Sequence, residues 1–420
     1  MTFHAEYAWI DGRVERDVLI EVADGRFTAV TPASAPGTAT RLAGLVLPGL
    51  ANAHSHAFHR ALRGRTQSGR GTFWTWRELM YEVAGRLDPD SYFRLARAVY
   101  GEMALAGITC VGEFHYLHHG PDGRPYDDPN AMGHALIEAA RAAGIRITLL
   151  DTLYLSSSVD NQALQGVQRR FGDGSADRWR ERVAQLKPAE GARIGAAYHS
   201  VRAVPADAIE PVDGPLHIHL SEQRAENEAC LAVHGCTPAE LLRRRGVLGP
   251  DTTVVHATHL TDGDIATLAG TGVCFCPTTE RDLADGIGPA RALERSPLSL
   301  GSDSHAVIDI LAEAHALEMH ERLATERRGH FTAAELLAAA TNHGSLGFHD
   351  AGRIAVGQRA DLVAVGMDSV RTAGADPAQL VFAATAADVT DVVADGRTIV
   401  SDRRHTEFDV VRALQEAVPG

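Results

Sequence analysis

The amino-acid sequence predicts an α/β fold: a (β/α)8 TIM-like barrel with a small β-sandwich domain built from both chain ends. Three observations carry that expectation. Short apolar runs alternate with longer amphipathic stretches through the middle of the chain, both ends read as short strands joined by tight turns, and histidines and carboxylates recur where the apolar runs stop. The expected division is residues 1–47 with 352–420 for the composite β domain, and 48–351 for the catalytic barrel.

The first strands fall at Tyr7–Ile10, Arg16–Val22 and Phe27–Thr31, separated by the turn pairs Asp11-Gly12 and Asp24-Gly25. Eight barrel strands follow from the apolar runs Leu45–Leu50, Thr109–Phe114, Ile145–Leu153, Ile194–Tyr198, Leu216–Leu220, Thr252–His256, Gly272–Cys276 and Leu298–Gly301. Helical periodicity marks Tyr92–Leu105, Ala131–Ala143, Arg178–Gln185, Pro238–Arg245, Asp262–Leu268 and Ile308–Arg322 between them. Strand texture returns at Arg353–Gly357, Ala360–Val365 and Val389–Arg397, so the two ends are expected to pair.

Composition limits the function. With 420 residues, 45% hydrophobic and 22% charged, the chain can bury a large core. No window approaches ~18 uninterrupted apolar residues and no basic-then-apolar leader opens the chain, so a cytoplasmic location is expected. The five cysteines are odd in number and lie mostly in apolar runs, which predicts buried reduced thiols; Cys274-Phe275-Cys276 reads as strand core rather than a metal pair. A net charge of −14 argues against nucleic-acid and membrane partners. It permits a small anionic substrate where arginines gather locally.

The polar residues sit at one end of the runs. His54-Ser55-His56 places two imidazoles on one face of an extended chain, as a metal ion requires. Glu113-Phe114-His115-Tyr116, His199 with Arg202, His217-Ile218-His219, His256-Ala257-Thr258-His259 and Gly301-Ser302-Asp303-Ser304-His305 close other strands. A set of unrelated core histidines would not keep to one rim, and the C-terminal rim is where such barrels do chemistry.

The order Pro48-Gly49-Leu50-Ala51-Asn52-Ala53-His54-Ser55-His56, then His219, His256 and Gly301-Ser302-Asp303-Ser304, resembles the amidohydrolase superfamily, as does the Gly357-Gln358-Arg359-Ala360-Asp361-Leu362-Val363 run. Within it the chain most resembles the formimidoylglutamate deiminases. His54-Ser55-His56-Ala57-Phe58, the tryptophan-rich segment from Phe73 to Tyr81, Glu113-Phe114-His115-Tyr116, His199-Ser200-Val201-Arg202-Ala203-Val204 and Val255-His256-Ala257-Thr258-His259 carry that likeness.

One divalent ion is expected. Two-metal relatives bridge their ions with a carboxylated lysine at the end of strand four, but the only lysine, Lys187, falls about a dozen residues before His199. The ligands expected are His54, His56, His219 and Asp303, a set that suits zinc first, with iron and manganese also fitting. His217 shares a strand face with His219; the resemblance favours His219. Glu222, three residues past His219, is the expected general acid/base, with Asp303 helping to activate water and His256 polarising the C=N centre.

The resemblance implies that Arg202, His199 and Tyr116 bind one substrate carboxylate. Arg77 is placed to bind the other, within its own subunit or across the interface of an expected homodimer. His59 stands where the family often has a glutamine that touches the formimino group. The function implied is hydrolytic deimination of N-formimino-L-glutamate to N-formyl-L-glutamate and ammonia. A purine or thioadenosine deaminase is the rival; imidazolonepropionase would not explain the tryptophan-rich segment, and a catalytically inactive barrel used as a binding module predicts missing ligands.

Overall fold

The structure is a computed structural model that describes residues 1–67 and 73–418; the side chains of Phe73 and Trp74, in the tryptophan-rich segment, and residues 419–420 of the expected composite domain lie outside the described set. Two eight-stranded sheets organise the chain. Strands β1 (Thr2–Ile10), β2 (Arg13–Ala23), β3 (Arg26–Thr31) and β4 (Thr40–Pro48) join β13 (Leu362–Val365), β14 (Val389–Ala394), β15 (Arg397–Ser401) and β16 (Arg404–His405) in one sheet. Its pairings are antiparallel apart from β1 with β4. Phe3, Ile20, Phe27, Leu42, Val46, Leu362 and Val393 form a core of their own between the two chain ends.

The second sheet is the barrel. β5 (Leu50–Ser55), β6 (Ile108–His115), β7 (Arg146–Leu153), β8 (Ala192–Tyr198), β9 (Leu216–Leu220), β10 (Thr252–His256), β11 (Gly272–Phe275) and β12 (Leu298–Leu300) pair in parallel and in sequence order. The strands are buried along nearly their whole length, as a sheet covered on both faces requires. The last and first strands meet at a single bridge between Ser55 and Asp303, so the ring is nearly closed.

Three expected strands differ from the structure. The run Leu45–Leu50 is divided: its first part ends β4 in the composite sheet, where Leu47 pairs with Val363, and the barrel begins only at Leu50. Gly49 makes the crossing, because a Cβ there would collide with Thr109 and Asp361. His54 and Ser55 therefore lie within the first barrel strand and His56 just beyond it. Arg353–Gly357 is a turn-rich segment rather than a strand, tied to β3 by Phe27 N–H donating to Gln358 O at 3.0 Å and Gly357 N–H to Phe27 O at 2.8 Å. Val389–Arg397 is divided between β14 and β15 by Asp395-Gly396, whose positive φ values of 46° and 75° match a tight hairpin turn.

The intervening helices include α2 (Pro89–Leu105), α3 (Ala131–Ala143), α6 (Pro238–Arg244), α7 (Asp262–Thr267) and α9 (Ile310–Thr325), close to their expected places. Expected Arg178–Gln185 appears as a helix over Ala176–Val183, capped by Ser175. Among the described residues, no helix is long and apolar enough to cross a membrane.

A buried ion pair fastens the two sheets. Arg146, from β7, donates to both oxygens of Asp361, at the start of β13, and lies 3.0 Å from Asp395 Oδ1. Asp361 also accepts from the Asp395 amide at 2.9 Å. Removing one member would strand a charge in the interior, so Asp361→Ala should cost about 3 to 5 kcal/mol. Urea unfolding checks this; a loss below about 1 kcal/mol would contradict the fastening role.

Candidate active site

The strand ends gather the predicted residues in one cleft, lined among others by His56, His59, Arg77, Tyr116, His199, Arg202, His219, Glu222, His256 and Asp303. His54 is fully buried against it, its Nε2 3.0 Å from His219 Nε2 and 3.4 Å from Asp303 Oδ1. His56 Nε2 lies 3.3 Å from the same Asp303 oxygen.

Hydrogen bonds outside the centre determine which nitrogens face it. His56 Nδ1 meets the carbonyl of Phe114 at 2.9 Å and His219 Nδ1 that of His199 at 2.8 Å, so Nδ1 carries the proton in both. Each Nε2 is then a lone pair aimed inward. Burial lowers His54 to about 3 and lowers His56 and His219 as well, keeping all three neutral. Burial opposes ionisation of Asp303, but its hydrogen bond with His54 and the nearby charge of His256 hold it well below the usual carboxylate range. An imidazole lone pair facing a carboxylate oxygen with no proton between them is repulsive, and a divalent cation converts that repulsion into ligation. His217 does not join them: its Nε2 meets the Ser345 carbonyl at 2.9 Å.

The second group surrounds His256. Its Nε2 is 3.8 Å from both Glu222 Oε1 and Asp303 Oδ2, and its Nδ1 is 3.4 Å from Glu280 Oε1. Burial alone would lower its pKa, but Glu222, Glu280 and Asp303 together raise it well above the ordinary value. His256 is thus an imidazolium poised to donate from Nε2. Ser221, His256, Ala257 and Asp303 all have positive φ, the strained backbone that turns these side chains in from the strand ends.

The wall is aromatic and cationic. His59 Nε2 and Tyr116 Oη lie 2.9 Å apart, and Arg77 sits over the Tyr81 ring at 5.6 Å from its centroid. Trp76 and Tyr81, from the tryptophan-rich segment, join it, as do Tyr154 and Phe171, which were not singled out from the sequence. Tyr154 directly follows a barrel strand, the same signal that located the histidines. Glu280 gave less to read, being an acid in the first turn of α8 (Pro277–Asp282), where helices favour acids anyway.

The chain belongs to the amidohydrolase family, which it matches over residues 45–399. It is therefore a hydrolase acting on C–N bonds. It is 36% identical to the formimidoylglutamate deiminase of Pseudomonas aeruginosa, over 96% of this chain and 95% of that protein. It is 29% identical to a 5-methylthioadenosine/S-adenosylhomocysteine deaminase of Halobacterium salinarum, over 99% of this chain and 94% of that protein. A crystal structure of an amidohydrolase from Brucella melitensis superposes with a TM-score of 0.91 at 31% identity, covering 99% of this chain and 98% of that one.

Glu113 supports the turn that carries His56. It accepts from Ser55 Oγ and from the Ala57 amide, each at 2.6 Å, and burial raises its pKa to about 7. A carboxyl raised on folding contributes stability that is full below its unfolded value and is lost as pH rises through the folded value. Relative to the parent, Glu113→Gln should therefore gain about 3 kcal/mol between pH 4.5 and 8. Urea unfolding of both proteins across that range checks the slope, and parallel curves would contradict it.

Proposed function

We propose that the protein hydrolyses N-formimino-L-glutamate to N-formyl-L-glutamate and ammonia, using one divalent ion, zinc first, held by His54, His56, His219 and Asp303. The observation that carries this reading is the pair of arginines, Arg77 and Arg202, on the wall of a cleft whose floor is a histidine and carboxylate cluster. A substrate with two carboxylates can accept hydrogen bonds from both guanidiniums, whereas a purine or thioadenosine carries no carboxylate for either one. The likeness to the Pseudomonas aeruginosa deiminase, at 36% identity, supports the same choice.

When bound, the ion supplies Lewis acidity that makes a water nucleophilic near neutral pH. Glu222 is placed to move the two protons of the attacking water, one after the other, to the departing imino nitrogen, which leaves as ammonia when its bond to carbon breaks. His256 donates from Nε2 to the oxygen that attacks and stays on the carbon, becoming the formyl oxygen. Arg202, with His199 and Tyr116, holds one carboxylate and Arg77 the other. His59, fixed by Tyr116, faces the formimino group as a single hydrogen-bonding partner.

Glu222→Gln keeps the shape but removes the base, so kcat should fall by about 10²- to 10⁴-fold with metal content unchanged. Near-normal turnover of a metal-loaded variant would exclude the role. Ammonia release should be at least about 100-fold faster, as kcat/KM, from N-formimino-L-glutamate than from 5′-methylthioadenosine, adenosine or imidazolone propionate. Release from one of the latter alone would overturn the substrate.

A further inference from the structure

Arg202 is gripped from both sides. Its Nε donates to Glu226 Oε2 at 2.9 Å, and its Nη2 lies 3.7 Å from Glu222 Oε2. The other oxygen of Glu226, Oε1, accepts the backbone N–H of Ser221 at 2.9 Å. Ser221 stands between His219 and Glu222, in the left-handed region with φ of 51°. One buried carboxylate thus joins the segment that follows β8 to the strained turn that follows β9.

Glu226 lies in the first turn of α5 (Arg224–His234). A glutamate at the third position of a helix ordinarily folds back onto the amide of the capping residue or faces solvent near the positive helix end. Here both oxygens are given to donors outside the helix, and the residue is 1% exposed. A buried carboxylate and guanidinium bring a desolvation penalty that their attraction often fails to recover, so stability is a weak reason for this pair. What the pair does achieve is geometric, because Arg202 and Glu222 both line the cleft. Burial works against the Arg202 charge, and Glu226 followed by Glu222 keeps it in place.

We propose that Glu226 is a positioning residue that fixes Arg202 and the Glu222 turn as one unit, so that a carboxylate seated on Arg202 is held at a set distance from the acid/base group. The inference rests on the roles given above to Arg202 and Glu222. With Nε committed to Glu226, the guanidinium offers its Nη edge to the substrate. A carboxylate arriving there replaces Glu222 as the partner of Nη2, and Glu222 is then oriented by the Ser221 turn that Glu226 secures.

The test compares glutarate affinity by calorimetry, on zinc-loaded protein, for the parent, Glu226→Gln, Arg202→Met and the double variant. Glutamine can accept from one of the two donors but not serve both. Glu226→Gln should weaken glutarate about tenfold and lower kcat on N-formimino-L-glutamate, whereas the double variant should bind glutarate within about twofold of Arg202→Met alone. That non-additivity is what a merely structural role would not produce. Parent-like affinity in Glu226→Gln, or a double variant weaker than Arg202→Met by the full factor, overturns the proposal. If Glu226→Gln does not fold, the double variant, which removes both charges, decides by the same comparison with Arg202→Met. A parent that neither binds glutarate nor releases ammonia from N-formimino-L-glutamate fells the underlying reading and this inference with it; a parent that does both while Glu226→Gln matches it fells the inference alone.

Discussion

The seam between the first and last barrel strands is the constraint on which the site depends. Ser55 and Asp303 bridge there, the Asp303 amide donates to the His54 carbonyl at 3.0 Å, and the His56 amide donates to the Asp303 carbonyl at 3.3 Å. The backbone bonds that bring the ends of the barrel together thus belong to three of the four residues whose side chains converge. Their separation is set by main-chain geometry rather than by side-chain flexibility, which is how a rigid scaffold preorganises a site. A chain of side-chain bonds backs the seam: Asn52 donates to Ser302 Oγ at 2.7 Å, His305 links Ser302 to Ser55 at 3.0 and 3.1 Å, and Ser55 donates to Glu113.

Electrostatics divides the cleft into three regions. Neutral imidazoles and an ionised Asp303 occupy the floor, and the imidazolium of His256 stands among carboxylates beside it. The guanidiniums of Arg77 and Arg202 lie on the wall. In a protein with a net charge of −14, local guanidiniums of this kind are what the proposed anionic substrate would require. Each charge is held by partners already in place, so little reorganisation is left for the reaction itself.

The rim was legible in the sequence because its signal is local. An apolar run ending in a histidine two residues from another reports strand, face and depth together, as at His54, His56 and His219, while His256 and Asp303 share with them the place where an apolar run stops. Where the deciding contact is distant in sequence, the signal disappears. The division of Leu45–Leu50 between two sheets depends on Gly49 fitting against Thr109 and Asp361, which no window around Gly49 contains. His217 and His219 are equivalent by pattern, and only Ser345 separates them. Glu226 and Glu280 look like ordinary helix-start acids until the neighbouring loops bring Arg202 and His256 to them.

The central claim is that the three imidazoles and Asp303 form a single ligand set. X-ray absorption at the zinc edge on protein loaded with one equivalent of the metal tests this most directly. The account predicts a first shell of nitrogen and oxygen alone at about 2.0 to 2.2 Å, with the outer-shell scattering of about three imidazoles. A sulfur shell near about 2.3 Å, or a shell lacking imidazole scattering, would contradict it.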